Sequence, residues 1–81
     1  MLVECRGWLI EYLGKTQNVI NASNLSLRDT LGMLDKGDGE ILKAVQERRL
    51  FISVNSSVVY DLTVRVSNND LVTLFPIGTG G

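Results

Sequence analysis

At 81 residues, with eight basic side chains set against nine acidic ones, the chain has room for one domain and carries no electrostatic footprint for nucleic acid. Histidine is absent and Cys5 is the only cysteine, which excludes an internal disulfide and a cysteine-built zinc site and leaves serine or cysteine nucleophiles without their usual base. A domain of this size buries only roughly 60 to 65% of its unfolded surface and has no depth for an enclosed catalytic cleft. No apolar run approaches the roughly 20 residues that cross a bilayer. The opening Met1-Leu2-Val3-Glu4-Cys5-Arg6 lacks the basic-then-apolar order of a signal peptide, so a soluble, cytoplasmic protein is expected, with neither membrane nor nucleic acid as partner.

Leu2, Val3, Cys5, Trp8, Leu9, Ile10 and Tyr12 are β-favouring or apolar types with an imperfect period of two, which predicts a first strand over residues 2–12. Within its alternation Cys5 reads as a small core residue and Trp8 as a half-buried packing residue. Gly14-Lys15 marks a turn, and Gln17 to Ala22, with Val19 and Ile20, reads as a short strand returning as a hairpin. Ser26 followed three residues later by Asp29 forms a shortened capping box, and Leu27, Leu31 and Leu34 then fall on one face of a helix over 27–36. Lys36 and Gly37 suit its C-terminus. After Asp38-Gly39, Ile41, Leu42 and Val45 share a face of a second, shorter helix, on which Lys43 and Glu47 are placed to pair.

Leu50 to Val54 reads as a strand, Asn55-Ser56-Ser57 as a tight turn, and Val58-Val59-Tyr60 as the return. Leu62, Val64 and Val66 alternate with Thr63, Arg65 and Ser67 in a further half-buried stretch. Asn68-Asn69-Asp70 supplies a turn, because Asn tolerates positive φ. The last strand runs from Leu71 to Phe75, and Pro76 is expected to end its ladder. Strands with helices between two hairpins indicate an α+β sandwich, a small mixed sheet over a helix. On the last strand Val72 and Leu74 alternate with Leu71, Thr73 and Phe75, so one row faces the helix and the other lies outward. An outward Phe75 beside Pro76 would be an apolar docking site, and Arg48, Arg49 and Arg65 are available to steer an acidic partner.

Beyond Ile77 the sequence is Gly78-Thr79-Gly80-Gly81. A glycine pair has no side chains to pack, so it makes a slender, flexible arm, and the expected reagent is its free main-chain carboxyl group.

The ordered set of Val54-Asn55 entering a hairpin, Val66, Asp70-Leu71-Val72 around a turn, Phe75-Pro76 and the closing Gly80-Gly81 resembles the β-grasp, ubiquitin-like sulfur carriers. It is most similar to the small subunit of molybdopterin synthase, and more distantly to the thiamine-pathway sulfur carrier. The first half agrees in element order and in an apolar strand leading to Leu13-Gly14. Two departures stand out. Ile77 occupies the place of a common second proline, and Asn69 that of a turn glycine whose backbone conformation it can adopt. The resemblance implies a four- to five-stranded mixed sheet packed on one main helix plus a short one, with residues 1–76 as the folded domain and 77–81 as a flexible tail. It also implies that Gly81 is adenylated by an ATP-dependent, E1-like enzyme and converted to a thiocarboxylate with a sulfurtransferase as sulfur donor. The large subunit of molybdopterin synthase would then be the receiving partner. Gly80 would thread the tail into a narrow channel, and Phe75, Pro76, Ile77, Gly78 and Thr79 would bind the partner. No cofactor or metal would be bound, and the catalytic residues would belong to the partners. The rival readings are a protein modifier joined through Gly81 to lysines, a thiamine-pathway carrier, and a non-covalent β-grasp binding module.

Overall fold

The computed structural model describes residues 1–21 and 23–77. In chain order the elements are β1 (Leu2–Cys5), α1 (Trp8–Leu13), β2 (Gln17–Val19), β3 (Leu25–Ser26), α2 (Leu27–Leu34), α3 (Glu40–Gln46), β4 (Leu50–Val54), β5 (Ser57–Val59), β6 (Arg65–Val66) and β7 (Leu71–Pro76). Among the described residues the main sheet has the order β2-β1-β7-β4-β5, and β3 pairs with β6 in a separate two-stranded ladder. β1 and β7 run parallel at the centre, with Val3 beside Val72 and Cys5 beside Leu74, and the other pairings are antiparallel. This is the β-grasp architecture.

The largest correction to the sequence reading lies in residues 2–12. The strand stops at Cys5, and residues 8–13 form a helix instead. Gly7, at φ 61° and ψ −140°, turns the chain out of the sheet, a conformation essentially closed to residues with a Cβ. The helix then buries Leu9 completely and ends on Gly14, whose left-handed backbone lets its N–H reach the Ile10 carbonyl at 2.8 Å. The expected hairpin partner survives this detour, since Val3 lies opposite Asn18 in β2.

α2 forms where expected, for visible reasons. Ser26 Oγ accepts the Asp29 N–H at 3.1 Å, and the Leu27 and Arg28 N–H groups donate to the carbonyls of Val64 and Leu62 at 2.9 and 3.0 Å. The first turn therefore leaves none of these three donors orphaned, and the segment at 62–66 is held to the helix by main-chain bonds. The helix stops at Leu34, two residues before the expected end, because Asp35 is extended and its Oδ1 accepts from the N–H groups of Gly37, Asp38 and Gly39. Tyr12 clasps this joint to α1 by donating to Asp38 at 2.5 Å. Burial and then that carboxylate push the phenol up to about 12. Lys43 and Glu47 do not form the ion pair their spacing suggests, because the Glu47 carboxylate is taken by Arg49 at 2.8 Å.

The core lies between the sheet and the helices, where Val3, Leu9, Leu27, Leu31, Ile41, Ala44, Val72 and Leu74 have no exposed surface. Cys5 belongs to it: Asn18 donates to its sulfur at 3.7 Å, and burial pushes the thiol up, away from nucleophilic chemistry.

Asn69 does not take the left-handed backbone proposed for the turn before β7. Among the described non-glycine residues positive φ falls instead on Asn24, Arg48, Asn55 and Ser56. The turn is held by its carboxylate, since Asp70 Oδ2 accepts the Ser67 N–H at 2.8 Å and Oδ1 accepts from Asn55 Nδ2 at 2.9 Å. Asn55 Oδ1 in turn accepts the Leu71 N–H at 2.9 Å, so two side chains staple the β4–β5 turn to the entry of β7. The Asn55 bond, then the Ser67 bond, hold the Asp70 carboxyl below its ordinary range. A carboxylate whose folded pKa is depressed contributes stability that is present above its unfolded pKa and lost as pH falls through the folded one. Urea midpoints measured downward from about pH 4 should therefore fall for the wild type and fall less steeply for Asp70→Asn, which starts from a lower midpoint at neutral pH.

Candidate functional site

β7 positions both parts of the expected site. Its register against β4 sets Phe75 opposite Phe51 and Thr73 opposite Ser53, while Val72 and Leu74 turn to the core. Phe75 therefore lies on the outer face of the sheet, half-buried because the Phe51 ring packs edge-on against it, with centroids 5.9 Å apart. Tyr60 continues the row at 6.3 Å from Phe51 and is 79% exposed. Across the same face Leu2 lies beside Leu71 and opposite Val19, which is 80% exposed. The outer face thus carries two apolar rows, one aromatic and one of Val19, Leu2 and Leu71, separated by the polar row Gln17, Glu4, Thr73 and Ser53, and only Phe75 of the aromatic row was singled out from the sequence. Phe51 and Tyr60 were legible through the hairpin, because strand alternation places Phe51 on the face opposite Leu50 and Ile52.

Pro76 is still part of the ladder, opposite Leu50. Its missing N–H costs no bond there, because it is the next residue, Ile77, that donates across to the Arg49 carbonyl, just before β4, at 3.1 Å. On the other side Pro76 abuts the turn out of β1: a Cβ on Gly7 would lie 2.8 Å from Pro76 Cγ, and the Arg6 N–H donates to the Leu74 carbonyl at 3.2 Å. The last described residues, Pro76 and Ile77, are thus held by Gly7 and by the Arg49 carbonyl. Gly78, Thr79, Gly80 and Gly81, on which the expected carboxyl chemistry rests, lie outside the described residues.

Of the three arginines considered for steering, Arg65 donates to the Asn24 carbonyl at 3.2 Å and Arg49 pairs with Glu47. Arg48 lines a groove beside Ile77. Trp8 is half-buried, edge-on to Tyr12 at 6.0 Å. Among the described residues no group of three or more His, Cys, Asp or Glu is placed to hold a metal ion, and no helix is long and apolar enough to cross a membrane.

One family model, that of the ThiS family, matches residues 3–81, from the first strand through the diglycine. The chain belongs to the ThiS family. It is thereby a ubiquitin-like protein of the sulfur-carrier type that residues 50–81 resemble. No curated protein matches it. Among solved structures this ThiS-family chain is similar to Urm1 of Sulfolobus solfataricus, with a TM-score of 0.74 at 21% identity over 95% of this chain and 100% of that one. It is also similar to SAMP1 of Haloferax volcanii, with a TM-score of 0.72 at 20% identity over 100% of this chain and 98% of that one. At such identities the likeness is one of fold, and it extends over the whole β-grasp sheet and its helices.

Proposed function

We propose that this chain carries sulfur on the carboxyl group of Gly81 and delivers it in molybdopterin biosynthesis. The family match over residues 3–81, through Gly80-Gly81, carries the sulfur-carrier part of this reading, and the resemblance of residues 50–81 to the small subunit of molybdopterin synthase carries the choice of acceptor. The arrangement of the body supports it: the central strand β7 ends at Pro76, and its last residues stand beside the outer aromatic row of Phe75, Phe51 and Tyr60. Carriers of this type work with E1-like activating enzymes. The Gly81 carboxylate attacks the α-phosphorus of ATP on such an enzyme, giving an acyl adenylate and releasing pyrophosphate. A sulfide equivalent from a sulfurtransferase then displaces AMP, leaving a thiocarboxylate that is nucleophilic at neutral pH without a histidine. A free carboxylate is a poor electrophile, so activation must come first. Phe75, Pro76 and Ile77 with the outer aromatic row dock the partner, while Gly78 to Gly81 enter its active site. No side chain of this chain performs a proton transfer in the scheme.

The ThiS-family match favours a second acceptor, the thiamine pathway. Two measurements separate the possibilities. With a candidate adenylating enzyme from the same genome, the chain should support ATP–pyrophosphate exchange, and intact mass of the protein from cells should show a species heavier by the oxygen-to-sulfur difference. Loss of the thiocarboxylated protein's sulfur to a molybdopterin precursor supports the leading reading, and loss only to a thiazole precursor supports the second. Conjugates of many sizes with no thiocarboxylate would replace both with protein modification.

A further inference from the structure

An open groove of about 700 Å3 lies where the end of α3 meets the β4–β5 margin of the sheet. Val45, Leu50, Ile52, Val59 and Ile77 make it largely apolar, and Arg48 is the only charged residue lining it among the described residues. The groove opens beside β5, which is the outermost strand of the sheet on that side. Asn55 and Ser56, at φ 50° and 73°, form a two-residue turn of the kind with positive φ at both central positions, closed by the pair Val54 and Ser57. In such a hairpin the closing pair exchanges hydrogen bonds and the next pair, Ser53 with Val58, does not. The N–H and C=O of Val58 therefore point away from the sheet. The edge from Ser57 to Tyr60 carries no Lys, Pro or other charge to discourage a further strand.

Arg48 adds a second line of evidence. It occupies the position after α3 at φ 59°, with its N–H on the Val45 carbonyl at 3.1 Å and that of Arg49 on the Ala44 carbonyl at 2.8 Å. These two bonds define a Schellman end, where glycine is the least strained residue. Here a long cationic side chain stands in that place and lines the groove, a local cost with no structural return. Its charge is uncompensated among the described residues, because Glu47 is committed to Arg49 at 2.8 Å.

We propose that the groove and the β5 edge take an extended segment of a partner protein, added as a further strand beside β5, with an aliphatic side chain in the groove and a carboxylate on Arg48. Charge complementarity selects this occupant over a second copy of the chain, whose own β5 edge, residues 57–60, brings no carboxylate to Arg48. The site goes beyond sulfur carriage and stands without it.

The test uses the full chain, labelled with nitrogen-15, and the capped peptide acetyl-Glu-Val-Ile-Val-Glu-amide, whose isoleucine and flanking carboxylates share one face when extended. Amide shifts and exchange protection are expected at Arg48, Val58, Val59 and Tyr60. Methylating alternate peptide nitrogens should weaken binding roughly tenfold, because it removes edge hydrogen bonds. Arg48→Gly should raise the thermal midpoint, by relieving the left-handed residue, and yet weaken the peptide about three- to fivefold, as loss of an exposed ion pair does. Arg48→Gln should weaken it equally. No shifts at millimolar peptide, shifts confined to the Phe75 face, undiminished binding of the methylated peptide, or full affinity in both Arg48 variants would each overturn the proposal. So would β5 shifts that grow with protein concentration alone, which would make the occupant a second copy.

Discussion

Gly81→Ala, and separately a chain with one residue appended after Gly81, should lose ATP–pyrophosphate exchange with the adenylating enzyme while unfolding at the wild-type temperature. The stability half of this expectation follows from where the fold closes. Val72 and Leu74 are fully buried, Pro76 is the last residue of the sheet, and the last main-chain bond described is that of Ile77 to the Arg49 carbonyl. The activity half follows from the chemistry proposed for the carboxyl. An adenylyl transfer needs the attacking carboxylate oxygen in line with the α-phosphorus, and misplacement by about an ångström costs on the order of a hundredfold. On the proposed role of the tail, a methyl group on the last residue would meet channel walls shaped around bare backbone, so exchange should fall by about that factor or more. An appended residue transfers the free carboxyl to a different position and should reduce exchange to background. Wild-type exchange in either variant would refute the role given to Gly81. Lost exchange together with a lowered unfolding temperature would place the fault in the fold, so both are measured on the same preparation.

Those elements whose signal is local were legible from the chain alone. Ser26 with Asp29, followed by Leu27, Leu31 and Leu34, is a cap and a face within one stretch, and it became α2 within two residues of its expected end. The β4–β5 hairpin was equally plain, because Asn55-Ser56 interrupts two β-favouring runs. α1 was not, because Trp8, Ile10 and Tyr12 are strand-favouring types and repeat the two-residue spacing of Val3 and Cys5, one position out of phase. What converts them to a helix is the backbone of Gly7 together with a pocket for Leu9, and the pocket is supplied by distant parts of the chain. β3 and β6 are two residues each, too short to show any period, and they pair across the whole of α2 and α3. At the candidate site, alternation with Val72 and Leu74 was enough to place Phe75 outward. The contact of Gly7 with Pro76 was not readable, since it joins opposite ends of the sequence through the parallel pairing of β1 with β7. No local pattern announces a parallel neighbour.

That contact leads to the largest expected loss of stability from a single methyl group. In Gly7→Ala the new Cβ would sit 2.8 Å from Pro76 Cγ, closer than carbon atoms approach, at a residue whose φ is 61°. Backbone strain of roughly 1 to 3 kcal/mol and overpacking of similar size act together. A total of about 2 to 4 kcal/mol is therefore expected, a large part of the roughly 4 to 12 kcal/mol that holds a domain of this length. Gly14→Ala is the control for a positive-φ glycine without a clash, because Gly14 is left-handed, at φ 79° and ψ 7°, and nothing lies within 4 Å of its added Cβ. It should cost only the strain, about 1 kcal/mol. The ring of Pro76 has little freedom to move aside, because Phe75 before it is paired to Phe51 and Ile77 after it is bonded to Arg49. Relief in Gly7→Ala should therefore open the end of β7 first. Hydrogen exchange should show the Ile77 amide losing protection while the core of β7 keeps its own, and urea unfolding should show a midpoint well below that of Gly14→Ala. If Gly7→Ala is as stable as Gly14→Ala and Ile77 stays protected, the turn after β1 does not hold the point where the chain leaves the sheet.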